Sequence, residues 1–209
     1  MPKPDTSDAF HLREYSNHHV SYMYLVNKIK DINKVFDELE LHISNFKEEA
    51  CISCKSNCGI CCQKTDIEAT VLEFLPAAMN LYRSGEHEHM INQSGNNPYG
   101  LCVFYNPFER KGFCSRYQDR GLVCRLFGFA VSRDKYDNPV LVTCKTIKQS
   151  LDQEKLKKTI DKAPEMAYYY LKLFGIDSSL SVQYFPINIS IRKAFEIVLL
   201  YFENKKRSA

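Results

Sequence analysis

A chain of 209 residues, 44% hydrophobic and 25% charged, is long enough to bury a core and too apolar to stay disordered throughout. A net charge of +3 is too small to point to nucleic acid. No apolar run approaches the ~18–20 residues of a membrane span, and the start lacks signal-peptide order, so the expectation is a soluble, cytoplasmic protein.

In chain order, residues 1–19 read as a loose tail, with Pro2, Pro4, Asp5 and Asp8 near its start. A single domain is then expected over 20–203. Residues 20–50 form a helical extension, 51–146 a cysteine-rich core and 147–203 a helical part, with a basic tail at 204–209. Tyr22, Leu25, Ile29, Ile32, Phe36, Leu39, Ile43 and Phe46 alternate spacings of three and four, an apolar stripe on one face of a long helix. Such a stripe serves either to pack the helix on its own domain or as the seam of a homodimer.

After the cysteine-rich stretch, Ile67, Ala69 and Val71 alternate as in a short strand. Thr70 and Glu73 have capping-box spacing, Pro76 bends or delays the helix that follows, and Gly85 ends it. Two hairpins are expected next: Leu101–Tyr105 with Gly112–Cys114, and Leu126–Ser132 with Val140–Cys144. Ser150 with Gln153 suggests a helix start, Pro164 and Gly175 bracket another helix, and Ser190 is placed to cap a last one. The fold class is α+β, mostly helical: a long N-terminal helix, a small β-hairpin region beside the cysteines, and C-terminal helices.

Nine cysteines are the anomaly. Disulfides do not persist in a reducing compartment, and an odd number cannot pair completely. Cys51, Cys54, Cys58, Cys61 and Cys62 fall within twelve residues, too dense for ordinary small apolar packing. Closely spaced thiolates suit zinc, copper(I) or iron–sulfur clusters. Neighbouring side chains point apart, so Cys61 and Cys62 suggest two neighbouring metals, a multinuclear cluster, or one ligand with a supporting thiol. With the first hairpin turning near Phe108, Cys102 falls opposite Cys114. The second hairpin brings Cys144 back near Cys124. The candidate metal ligands are therefore Cys54, Cys58, Cys61, Cys62, Cys102, Cys114, Cys124 and Cys144, enough for two four-thiolate sites. Cys51 is an alternative first ligand or a spare thiol. Arg116, Arg120 and Arg125 lie beside Cys114 and Cys124, where Arg120 and Arg125 in particular could support the site by donating to sulfur. His87 and His89 sit in a polar stretch poorly spaced for one helical face, and His18, His19 and His42 read as surface residues.

These segments resemble the CxxCxxCC zinc- or iron-chelating domain family, the YkgJ-type cysteine-cluster proteins. The resemblance covers roughly residues 54–130. It is carried by Cys54-Lys55-Ser56-Asn57-Cys58-Gly59-Ile60-Cys61-Cys62, then Cys102, Cys114-Ser115-Arg116-Tyr117, and Arg120-Gly121-Leu122-Val123-Cys124-Arg125-Leu126-Phe127. The first spacing departs from the family's C-x2-C, and Gly121 stands where the family usually has proline. The resemblance implies a metal-binding protein, described in its mostly bacterial relatives as iron–sulfur or zinc binding. The preferred expectation is an iron–sulfur protein with a redox or accessory enzymatic role. The alternative is a zinc-binding structural or interaction module with an unidentified protein partner. A related cysteine pattern in flagellin lysine N-methylases makes a distant tie to iron–sulfur-dependent methylases a third expectation, although no glycine-rich cofactor motif is present. No Ser/His/Asp arrangement, phosphate loop or paired carboxylates mark any other chemistry.

Overall fold

The computed structural model describes residues 6–54, 58–108 and 113–207, with side chains described over 23–54, 58–108 and 113–203. It is α+β and mostly helical. Helix α1 runs Thr6–Ala50, continuing back into the stretch read as a tail; residues 1–5 lie outside the described residues. There follow β1 (Glu68–Thr70), α2 (Leu75–Arg83), α3 (His87–Asn96), β2 (Tyr105–Asn106), β3 (Phe113–Cys114), α4 (Leu122–Leu126), β4 (Ala130–Arg133) and β5 (Pro139–Val142). The chain ends with α5 (Lys145–Ser150), α6 (Gln153–Thr159), α7 (Met166–Ile176), α8 (Ser178–Ser181), β6 (Tyr184–Pro186) and α9 (Ile187–Arg207). Among the described residues, no helix is long and apolar enough to cross a membrane.

The α1 stripe is spent inside the domain. Leu25, Ile29, Ile32, Phe36, Leu39, Ile43 and Phe46 are all buried, and α1 packs along α7, α6, α2 and α9. Burying each such side chain contributes about 1.5–3 kcal/mol, enough to hold this part of the helix to its own body. The side chain of Tyr22, the first residue of the stripe, lies outside the described residues, as do those of His18 and His19. His42 is not a free surface residue. Its Nδ1 is 3.0 Å from the Tyr169 hydroxyl and its Nε2 3.1 Å from the Lys162 carbonyl oxygen, which ties α1 to α7 and the turn before it.

The strands form short antiparallel pairs: β1 with β6, β2 with β3, β4 with β5. The second expected hairpin is present, with Ala130 opposite Val142, but α4 occupies the start of its expected first strand. The first hairpin has a different register. Tyr105, not Cys102, pairs with Cys114, because the chain at Cys102 is still turning and the Tyr105 N–H closes that turn on the Cys102 carbonyl at 2.8 Å. Pro76 falls in the first turn of α2, and Gly85 follows that helix at a φ of +77°. Ser190 is not a cap. α9 begins at Ile187, directly after β6, and the buried Ser190 hydroxyl donates to the Ala69 carbonyl at 2.8 Å. α6 is capped by Asp152, whose carboxylate accepts from Lys155 N–H, rather than starting at Ser150.

Asp177 joins α1 to the C-terminal half. Its carboxylate caps α8 and meets Lys28 of α1. Burial opposes its charge, but Lys28 and the N–H groups of Leu180 and Ser179 prevail and hold its pKa below the ordinary carboxylate value. A depressed folded-state pKa gives stability that is present above the unfolded value and lost as pH falls through the folded one. The expected result is that Asp177→Asn is less stable than the parent at neutral pH, and that the two converge in denaturant melts as pH drops below about 4. An unchanged gap at low pH would remove Asp177 from the acid response.

Candidate metal centre

The cysteine-rich stretch leaves α1 through a sharp turn. Cys51 takes a left-handed φ of +51°, and Ile52 is buried behind it. Cys54 and Cys58 follow as loop residues on either side of 55–57, which lie outside the described residues. A 3-10 turn at Ile60–Gln63 then carries Cys61 and Cys62, with their sulfurs 3.9 Å apart. Cys102 comes from the turn before β2, Cys114 from β3, Cys124 from α4, and Cys144 from the residue that caps α5, where its sulfur accepts from Ile147 N–H.

These elements meet at one cavity enclosing about 110 Å³. Cys54, Cys58, Cys61, Cys62, Cys102, Cys114, Cys124 and Cys144 all line it, and Cys51 does not. Cys51 instead receives a hydrogen bond from the Lys155 ammonium at 2.7 Å, on the exposed side of the loop. The rest of the wall is mainly apolar, including Phe74, Phe104, Phe127, Phe129, Ile147 and Ile187, with Lys64, Tyr117 and Arg120 as polar members. The lining thus collects the eight candidate ligands and leaves out Cys51, and Cys102 reaches it from a turn rather than across a strand pair.

Two residues that the sequence did not single out for the site hold its parts in place. Glu73 is fully buried. One carboxylate oxygen accepts from the Thr70 N–H at 2.6 Å and the Thr70 hydroxyl at 2.9 Å, so the spacing links these two residues, but not as a capping box: the hydroxyl donates to the carboxylate, and Val71 is the N-cap of the turn that follows, with no side-chain cap. The other accepts from Val123 N–H at 2.7 Å, so the same side chain anchors the start of α4 and hence Cys124. Burial pushes the Glu73 pKa up, against the pull of these donors. Asn188, also buried, takes the Val103 N–H on its oxygen at 3.0 Å. It donates to the carbonyls of Asn97 and Leu101, which pins the turn that carries Cys102. The available signal for Asn188 was a lone amide between Ile187 and Ile189.

Gly121 is explained by Glu73. Its φ of −67° would suit proline. A Cβ there would nevertheless stand 2.8 Å from both Glu73 Oε2 and Phe74 Cζ. Glycine is what lets the carboxylate reach α4.

The arginines divide. Arg120 is the cation felt by the sulfurs: its charge favours the ionised forms of Cys61 and Cys114. Its guanidinium also lies over the Tyr117 ring and 3.5 Å from Glu40. Arg125 directs its donors to oxygen, namely Glu40 at 2.6 Å and the carbonyls of Gln118 and Arg120, while stacking on Phe36. It fastens α4 to α1. Arg116 pairs with Glu86. His87, at the start of α3, lies tilted against the Tyr82 ring, with the centroids 4.8 Å apart.

Thiol proton affinities follow from crowding. Cys62 is raised by hydrogen bonding with Cys102, Cys114 and Cys61, which keeps its proton in place. Cys61 and Cys114 are lowered chiefly by that same Cys62 thiol. Burial and neighbouring negative charge push Cys124 well up, and burial with the charges of Cys58, Cys61 and Cys144 raises Cys54 to about 11. Thiols this close cannot all ionise beside one another unless a cation compensates. That donor set fits a soft metal or a thiolate-bound cluster. Among the described residues, however, no three His, Cys, Asp or Glu side chains stand at the spacing of ligands around one ion. A cysteine has one side-chain torsion, so sulfurs on a common wall can be drawn inwards by rotamer change.

Fold and cavity together define a thiol-lined α+β domain. The family model CxxCxxCC, described as a "Putative zinc- or iron-chelating domain", matches residues 53–162, and the chain belongs to that family. No curated protein and no solved structure matches the chain.

Proposed function

We propose that the cavity holds an iron–sulfur cluster and that the protein serves a redox or accessory enzymatic role in a reducing, cytoplasmic compartment. The observation that carries this reading is the arrangement of eight thiols around one apolar cavity, twice the number that a single tetrahedral ion takes. Such a wall suits a group with several metal atoms, and an apolar surround limits water at the sulfurs. All nine cysteines are free thiols, as a reducing compartment requires. Bound there, a cluster would supply one-electron chemistry. The chain's own contribution is to ligate it with cysteines, to place the Arg120 charge beside them and to shield them with phenylalanines. The second reading is zinc as a structural ion, favoured by Cys62 with its three thiol neighbours Cys61, Cys102 and Cys114, a number that suits tetrahedral zinc.

Anaerobic purification followed by iron, zinc and acid-labile sulfide analysis distinguishes the two. Iron with comparable sulfide, and a visible absorption that bleaches on reduction, is the expected result. Stoichiometric zinc without sulfide would overturn the iron–sulfur reading in favour of the structural one.

A further inference from the structure

The outward face of α7 is unlike that of a solvated helix. Tyr169 and Leu173, on its inner side, are 1% and 0% exposed. The exposed positions are Ala167, Tyr168, Leu171, Phe174 and Gly175, with Tyr168 48%, Leu171 66% and Phe174 48% exposed. None of them is charged. The exposed positions of α1, by contrast, include Lys30, Asp31, Lys34, Asp37 and Glu38. A surface helix ordinarily turns charged and polar side chains outward, and contiguous exposed apolar side chains mark an interaction site. Lys172 is the one charged residue in α7. It is paired with Glu38 of α1 and lies 5.0 Å from the centre of the Tyr168 ring. A partner can therefore cover the face without stripping water from an unpaired charge of this helix.

The order of these residues is symmetric about Leu171. Three positions to either side stand aromatic rings, Tyr168 and Phe174, and four positions to either side stand small residues, Ala167 and Gly175. Positions three and four apart share one helix face. Two copies of α7 laid antiparallel across a two-fold axis at Leu171 set each Leu171 against its copy, Tyr168 against Phe174 of the second copy, and Ala167 against Gly175 of the second copy. A two-fold interface requires this reciprocity, with one patch complementary to itself. Among the described residues, nothing stands within 4 Å of the point where a Cβ on Gly175 would sit, so the helices have room to close up at that end.

We propose that this face is a homodimer interface: a second copy of the chain packs its own α7 antiparallel on the first, with the two-fold axis at Leu171. The interface is independent of what the cavity holds, and it is distinct from a seam along α1, whose stripe is buried within the chain. Set against the ~150–250 Å² that an aromatic side chain can bury, the exposed fractions of Tyr168, Leu171 and Phe174 cover on the order of 300 Å² per copy. That is below the ~800 Å² per partner of a standard interface, so association is reversible and rises with concentration.

The test is sedimentation velocity of the full chain as isolated, kept reduced and anaerobic so that the exposed Cys51 and Cys54 form no bridges between chains. Over about a hundredfold range of concentration, the expected mass climbs from the 24.3 kDa of one chain towards twice that value. Leu171→Glu sets like charges face to face on the axis and should weaken association by about tenfold or more, with melting temperature and metal content unchanged. Tyr168→Lys and Phe174→Glu should each weaken association alone and recover it when mixed in equal amounts, because the antiparallel order brings the two substituted positions together with opposite charges. If Leu171→Glu melts earlier than the parent, the mixing experiment decides alone. The mass of one chain at every concentration overturns the interface, as does a dimer that a stably folded Leu171→Glu leaves intact. A mixture that associates no more strongly than its components overturns the antiparallel order about Leu171.

Discussion

Cys62→Ser is expected to lower metal affinity by two orders of magnitude or more, equivalent to roughly 3 kcal/mol. Cys62 interacts with Cys61, Cys102 and Cys114 at once and is 7% exposed. Serine nearly preserves the volume, so the cavity wall stays filled. Its hydroxyl is a hard donor that does not ionise near neutral pH, and a soft metal loses a ligand beside Cys61, Cys102 and Cys114. For a chain of this length, about 3 kcal/mol of lost stabilisation lowers Tm by roughly 6–12 °C. Cys51→Ser is the matched control. Cys51 is off the cavity and bonded to Lys155, so its removal should leave metal content unchanged. Elemental analysis and thermal melts of both variants, with and without added metal, are the measurements. Full metal retention in Cys62→Ser would exclude it as a ligand. Metal loss in Cys51→Ser would move the first ligand from Cys54 to Cys51.

Glu73→Ala is expected to be among the most damaging single changes outside the cysteines. It strands the N–H groups of Thr70 and Val123 and the Thr70 hydroxyl in a fully buried position. Each buried donor left without an acceptor costs about 1–3 kcal/mol, so a destabilisation of more than about 3 kcal/mol is expected in denaturant melts. Metal binding should weaken as well, because Cys124 sits on the short helix that Glu73 anchors. Glu73→Gln keeps an acceptor oxygen for one of the two anchored segments and should recover part of the loss. Gly121→Ala should act in the same direction by pushing against Glu73 and Phe74. If Glu73→Ala melts like the parent, water must reach these donors and the carboxylate is not their anchor.

The sequence by itself determined several things. Periodicity placed the α1 stripe, because a helix repeats every 3.6 residues and seven of its apolar positions are buried. Thiol density named Cys54, Cys58, Cys61 and Cys62, because soft-metal chemistry needs many sulfurs in a short span, and the hairpin reading with the family resemblance added Cys102, Cys114, Cys124 and Cys144; all eight line the cavity. Turn residues placed the second hairpin. Asp134 accepts the N–H groups of Tyr136 and Asn138, and Asp137 takes the left-handed conformation, so that turn is set locally.

Tertiary structure decided the rest. The register at Cys102 could not be read locally, because Asn188, from the far end of the chain, holds that turn out of the strand. Neither the 3.6-residue period nor local spacing could show that Arg125 would turn to Glu40 on α1, a contact made across 85 positions of sequence. The spacing of Thr70 and Glu73 was legible as a link between the two, but the role of the second carboxylate oxygen was not. A carboxylate has two oxygens, and only the packed fold could bring α4, with Gly121 leaving room, against the second.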